Sequence, residues 1–271
     1  MNAFKLSIFL ALCSFAASLN NPDSSTLPRP LIVENPQSLL GRVVDVEHGS
    51  GEEDLRMHCQ SWRFGVETNN IRSWKTVPVE CADYVKNYMM KRGYVYDLEM
   101  VAKEAGNYAR TVQLVGDGND IWIFDIDETL LSNLPYYVDH GFGLEVFDGS
   151  KFDKWVELGS APALQASLKF YKEILDLGFK VFLLTGRSEE QRGVTEENLR
   201  RSGIERWDRL ILRGKGDHGK PAIAYKSERR VQIEEEGFRI RGNSGDQWSD
   251  LLGLCMANRS FKLPNPMYYI D

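Results

Sequence analysis

From residue 121 onward the apolar positions of the chain follow two alternating rhythms. "IWIFDI" is a continuous apolar run of strand length, and residues 163–177 then carry Leu164, Leu168, Tyr171, Ile174 and Leu175 at helical spacing. "FKVFLLTGR" predicts the next strand, "EEQRGVTEENLRRSG" a helix, "DRLILR" a strand, the charged stretch from about Tyr225 to Glu236 a helix, and "FRIRGNSGD" the last strand. Strand and helix in turn predict an α/β fold, a doubly wound, mostly parallel sheet with helices on both faces, over 119–271. Earlier, residues 82–92 and 97–114 have helical spacing, the second through Leu98, Val101, Ala102, Ala105 and Tyr108. Residues 51–118 therefore read as an N-terminal helical segment with a Cys-bounded loop, packed beside the main domain.

Before position 51 the pattern is different. Residues 19–50 hold four Pro among many Ser and Asn and predict an extended arm. Residues 1–18 place Lys5 before an apolar run from Leu6 to Phe15 and then Ala16, Ala17 and Ser18, the layout of a secretory signal peptide. The run is shorter than the roughly 20 residues that span a bilayer. The expectation is a protein of the secretory pathway, extracellular or vacuolar, with no membrane contact after cleavage. Cleavage removes Cys13 and leaves Cys59, Cys81 and Cys255. In an oxidising compartment Cys59 and Cys81 can close a loop as a disulfide, the alternative being three thiols. Cys255, with Leu252 and Leu254 as apolar neighbours, reads as a buried thiol. Asn258 opens the one N-x-S/T sequon and is the candidate glycosylation site. A net charge of −6 without a clustered basic surface argues against a nucleic-acid partner.

Chemistry gathers at the carboxyl ends of the predicted strands, where sheets of this kind build their sites. Asp125 and Asp127 follow the first strand, Thr185-Gly186-Arg187 the second, and Asp246 and Asp250 the last, while Lys226 lies on the helix before it. Clustered carboxylates repel unless a cation joins them, and Mg²⁺ suits an all-oxygen site. Asp125 and Asp246 are the natural direct ligands. Asp250, one helical turn on, ligates or orients, and Asp127 completes the candidate metal set. A phosphoryl group needs positive charge and donors around its oxygens. Lys226, with Lys220 as rival, the Thr185 hydroxyl and the Gly186 N–H can supply them. Asp125 can then attack phosphorus while Asp127, two residues on and on the same face of an extended chain, handles protons. That division requires Asp127 protonated while Asp125 is ionised, and so an acidic optimum. Asn133 is a candidate substrate contact. A small cap at about 132–160 brings Tyr136, Tyr137, Phe142, Phe147, Phe152 and Trp155, either as its own core or as a wall for the leaving group. The His residues at 48, 58, 140 and 218 lack metal-ligand spacing; His218 stands in a loop.

"DIDET", "TGR", the Lys of "YKSERR" and "GDQWSD" resemble the four motifs of the haloacid dehalogenase-like phosphatases. "FDIDETLLSNLPYY", "RGKGDHGK", "EEEGFRIRGNSGDQWSDLLG" and "SFKLPNPMYYI" are similar, more closely, to the plant acid phosphatase and vegetative storage protein family, over roughly Leu40 to the end. The resemblance implies a Rossmann-like core with Asp125 as nucleophile, Asp127 as acid and base, Thr185 and Lys226 as phosphate ligands, Asp246 as a magnesium ligand and Asp250 as a supporting acid. It implies a secreted acid phosphatase acting on small phosphomonoesters through an aspartyl-phosphate with Mg²⁺. The alternative is a vegetative storage glycoprotein with little or no turnover. Storage branches of the family can lack the nucleophilic Asp, which this chain keeps. A homodimer is compatible with either reading.

Overall fold

Successive side chains of a strand leave it on opposite faces, and both faces of β1 (Asp120–Phe124) are covered. Trp122 and Phe124 enter one hydrophobic cluster, Ile121 and Ile123 another. This is why the run is apolar throughout instead of alternating. The computed structural model describes residues 51–271. The signal-peptide and arm expectations, with Cys13 and His48, lie outside the described residues.

β1 is the central strand of five, in the order β3-β2-β1-β4-β5, and every pair is parallel. The others are β2 (Lys180–Ser188), β3 (Arg209–Arg213), β4 (Arg239–Gly245) and β5 (Arg259–Lys262). Before the sheet come α1 (Gly51–Glu67), α2 (Ala82–Met90) and α3 (Arg92–Ala109). Between β1 and β2 lie α4 (Leu134–Asp139), α5 (Gly149–Glu157) and α6 (Gln165–Asp176). α7 (Arg192–Arg201), α8 (Ala222–Glu235) and the short α9 (Trp248–Leu251) complete the described helices. α3, α6 and α7 pack on the Trp122 face, and α8 brings Tyr225 and Ile233 to the other.

The structure departs from the sequence reading at several points. "FRIRGNSGD" is not the last strand: β5 follows it, with only Phe261 buried among four residues. An edge strand that buries one side chain has no apolar run to announce it. The predicted helix at 97–114 begins at Arg92 and ends at Ala109, because buried Tyr94 extends the stripe one turn backward from Leu98. The Cys-bounded segment is not all loop, since Cys59 stands within α1. Cys59 and Cys81 form a disulfide with Cα atoms 5.3 Å apart. Cys255 is half-buried and its neighbour Leu254 is exposed, so the expectation of a thiol in an apolar core is not met.

One cluster joins the layers. The disulfide, Val85, Tyr94 and Leu98 from the N-terminal helices pack with Tyr136, Tyr137 and Phe142 from the 134–157 segment, and with Leu263 and Met267 near the C-terminus. Tyr136 and Phe142 thus serve as core.

Gly242 of β4 lies opposite Trp122 in the ladder, and a Cβ there would come within 2.4 Å of the indole. The indole cannot retreat, because Phe170, Phe179 and Phe261 surround it. Gly242→Ala should therefore lower unfolding free energy by about 1–3 kcal/mol. Urea titration measures it, and an unchanged midpoint would show that the Trp122 packing is looser than described.

Candidate active site

Asp125 continues β1 by one residue, its N–H donating to the Ser244 carbonyl of β4 at 3.0 Å. The side chain is buried at the sheet edge, where Lys226 of α8 donates to Oδ1 at 2.5 Å. The same ammonium donates to Asp250 Oδ1. Asp246, directly after β4, accepts from Gln247 Nε2 and Asn265 Nδ2, each at 2.7 Å. Asp125, Asp246 and Asp250 each bring an oxygen within 4.8 Å of the others. Gly245 makes this approach possible, since a Cβ there would lie 2.5 Å from Asp250 Cβ.

Lys226 thus pairs with Asp125 and Asp250, while Asp246 adds a third buried carboxylate beside them. Burial pushes Asp125 well above the ordinary carboxylate range, Lys226 pulls it back, and Asp250, Asp246 and Asp127 push it further up. Burial and then Asp250 raise Asp246 to about 6. Lys226 lies above its usual value although burial opposes this, because Asp125 and Asp250 outweigh the desolvation. An all-oxygen donor set with excess negative charge fits a hard divalent cation such as Mg²⁺.

Asp127 is held differently. Arg187, with its side chain 2% exposed, donates from Nε to Oδ2 at 3.0 Å and from Nη2 to Oδ1 at 2.8 Å. Asn133 Nδ2 donates to Oδ1 at 3.0 Å, and Trp155 Nε1 fixes that amide through its oxygen at 2.9 Å. Burial alone would raise Asp127, but the Arg187 charge and hydrogen bonds bring it below its ordinary value. With protein groups alone around them, the two acids therefore titrate in the opposite order to that expected from sequence. The Asp127 carboxylate is engaged by Arg187 and Asn133 and lies outside the three-acid group. Asn133, the residue expected to contact substrate, is fully buried with both ends of its amide engaged, by Asp127 and by Trp155.

A cavity of about 550 Å³ opens over Asp125, Asp127, Lys226, Asp246 and Asp250. Gly186, Arg187 and Ser188 form its wall at the end of β2. Thr185 is fully buried, and its hydroxyl accepts the Arg187 N–H at 3.2 Å. Lys226 occupies the centre, whereas Lys220 pairs with Asp217 and Glu228. Tyr137, Phe147, Phe152 and Tyr268 give an aromatic side, and exposed His218 lies on the rim. Trp155, by contrast, supports Asn133.

Sequence reasoning assigned no role to Arg187, Glu128, Gln247, Asn265 or Tyr268. A buried Arg at a strand end signals a carboxylate partner, and that signal was present in "TGR". Glu128 has a left-handed backbone, φ 52°. Burial pushes its carboxyl up to about 7 while Tyr94, the Asn133 N–H and Ser132 donate to it. Asn265 carries no local mark, because its partner Asp246 stands 19 residues away.

Residues 46–271 match the family described as HAD superfamily, subfamily IIIB (acid phosphatase). The chain is 59% identical over 266 residues to Acid phosphatase 1 of Solanum lycopersicum, covering 98% of this chain and 99% of that one. It is 37% identical over 272 residues to Vegetative storage protein 2 of Arabidopsis thaliana, covering 100% and 99%. The class C acid phosphatase from Bacillus anthracis superposes with a TM-score of 0.56 at 22% identity, over 69% of this chain and 85% of that one. This last likeness concerns the fold alone.

The Arg187 pair gives a pH-dependent prediction. Its stabilisation is fully present above the ordinary carboxylate range and fades as pH falls through the depressed Asp127 value. Arg187→Met should cost about 3 kcal/mol at pH 7 and progressively less below about pH 4. Urea unfolding at stepped pH reads the difference; a pH-independent loss would mean that Arg187 acts by packing alone.

Proposed function

The chain belongs to the acid phosphatases of subfamily IIIB of the HAD superfamily, and we propose that it hydrolyses small phosphomonoesters through an aspartyl-phosphate on Asp125, with Mg²⁺ held by Asp125, Asp246 and Asp250. The observation that carries this reading is the placement of Asp125. It is a buried carboxylate at the end of the central strand, facing the cavity beside a buried ammonium and within reach of two further acids.

Lys226, the Gly186 N–H and the Thr185 hydroxyl are the proposed partners of the phosphoryl oxygens. An Asp125 oxygen attacks phosphorus, the ester P–O bond breaks, and the departing oxygen takes a proton from Asp127. Water then attacks the aspartyl-phosphate, gives its proton to Asp127, and releases phosphate from Asp125. Bound Mg²⁺ would neutralise the carboxylates and the charge that develops on the phosphoryl oxygens. Because Arg187 keeps Asp127 ionised in the resting site, the first step needs a source of protons. A bound phosphate anion raises Asp127 by like-charge repulsion, and acid solution fills the site. The aromatic side formed by Tyr137, Phe147, Phe152 and Tyr268 faces the leaving group.

The likeness to a vegetative storage protein over the whole chain favours a second reading, a storage glycoprotein with little turnover. Retention of Asp125, Asp127 and Lys226 in one cavity supports the enzyme instead. We place the protein in the secretory route, extracellular or vacuolar. No helix among the described residues is long and apolar enough to cross a membrane, and the Asn258 sequon is exposed beside β5.

Two measurements test this. Chelation of divalent metal should abolish hydrolysis of a chromogenic phosphomonoester, and Mg²⁺ should restore it; a chelator-insensitive rate would remove the carboxylate cluster from the mechanism. Asp127→Asn should lower turnover by about 10²–10⁴ but unequally with the leaving group. A nitrophenolate departs without help, so the phosphoenzyme forms and then persists for want of a base, while an alkyl phosphate hardly reacts. Rapid-quench trapping with labelled ester decides it: equal losses for both esters and no accumulation would make Asp127 purely structural.

A further inference from the structure

The last residue of α1 is a glutamate, at the end where the helix carbonyls gather negative partial charge. No basic residue stands in that last turn, yet the Glu67 side chain is only 17% exposed. A local rule broken at a largely buried position calls for compensation from elsewhere in the fold. The compensation comes from 181 to 198 residues further along the chain. Lys262 Nζ donates to Glu67 Oε2 at 2.8 Å, the Asn265 N–H donates to Oε1 at 2.9 Å, and Trp248 Nε1 donates to the Glu67 main-chain carbonyl at 3.1 Å.

All three partners border the acid cluster. Lys262 ends β5 opposite Gly245, the residue before Asp246. Asn265, with its backbone pinned by Glu67, donates from Nδ2 to Asp246 Oδ2 at 2.7 Å. Trp248 lies between Asp246 and Asp250. We propose that Glu67 is a positioning residue for the divalent cation: through Asn265 and Trp248 it fixes where Asp246 and Asp250 place their oxygens, and so sets the affinity of the site. Groups that orient metal ligands govern affinity because the ion gains most from carboxylates already in place. This rests on the reading of Asp125, Asp246 and Asp250 as the Mg²⁺ site.

Arg63 on the same helix supplies the control. It bonds to Tyr84 and Asp97, at 3.2 and 2.9 Å, and so ties α1 to the neighbouring helices and not to the strand ends. Metal-stripped full-length wild type, Glu67→Ala, Glu67→Gln and Arg63→Met are titrated with MgCl₂ by calorimetry, alongside the Mg²⁺-dependent shift of the thermal midpoint. Glu67→Ala should weaken Mg²⁺ binding about tenfold while kcat at saturating Mg²⁺ stays near wild type. Glu67→Gln should lose less, because its amide oxygen still accepts the Asn265 N–H. Arg63→Met should lower the midpoint at wild-type Mg²⁺ affinity. Unchanged affinity in Glu67→Ala, or equal weakening in Arg63→Met, would overturn the role of Glu67 alone. A wild type that binds no Mg²⁺ would overturn the metal site and this role together. If Glu67→Ala does not fold, Glu67→Gln is judged by the same criterion, and wild-type affinity in it overturns the proposal.

Discussion

Lys226 is a buried ammonium between two buried carboxylates, and the arrangement holds only if three separate elements arrive together. Removing a charge from water costs several kcal/mol, and good geometry on both sides is needed to offset it. Asp125 is fixed by β1, Lys226 by α8, and Asp250 by α9. Arg230, one turn after Lys226 and fully buried, supplies the missing rigidity. It donates to the carbonyls of Asp250 at 2.6 Å, Leu252, Leu254 at 3.2 Å and Cys255 at 3.1 Å. The helix that carries the ammonium therefore also holds the backbone of its second carboxylate partner. Carboxylates outnumber ammonium groups in this cluster three to one, and that excess is what suits it to a cation more than to a closed structural ion pair.

Two aspartates separated by one residue acquire opposite characters from their neighbours. Asp125 faces other carboxylates and rises; Asp127 faces a guanidinium and falls. Environment, not chemical identity, divides the work between paired acids. The divider is Arg187, held in turn by Thr195 at 3.2 Å. Without it, burial would drive both acids upward and leave neither ionised by default.

The central strand was legible because it is buried on both faces, and the acids were legible because carboxylates at the end of such a strand have no packing role. Alternation of strand and helix carried the topology as far as β4. β5 was hidden by its polarity, with Arg259 and Ser260 exposed. α8 was legible as a helix and Lys226 as a site residue, but a charged stretch such as "KSERR" does not show that Ser227 and Arg230 are buried beside it. A helix that buries charge for a site hides in its sequence which face is buried. The order of the two titrations was beyond a one-dimensional reading, because Arg187 and Asp127 stand 60 residues apart.

The segment between β1 and β2 meets the rest of the molecule on two sides, and this bears on what sets the aromatic side of the cavity. On one side Gln191 Nε2 donates to Asp153 at 3.0 Å, tying α5 to the end of β2. On the other, Tyr136, Tyr137 and Phe142 share a core with the Cys59–Cys81 disulfide and with Met267. Tyr137 then stacks on Tyr268 with ring centres 5.2 Å apart, and both line the cavity. The aromatic side is thus assembled from the middle and the end of the chain against a layer contributed by its beginning. A cross-link closing a loop of this size restrains the unfolded chain by about 3 kcal/mol. Here it also anchors the helices against which the pocket wall is built. Stability of the N-terminal layer and the shape of this aromatic wall are therefore coupled, since Tyr137 and Tyr268 pack in the same cluster as the disulfide and the N-terminal helices.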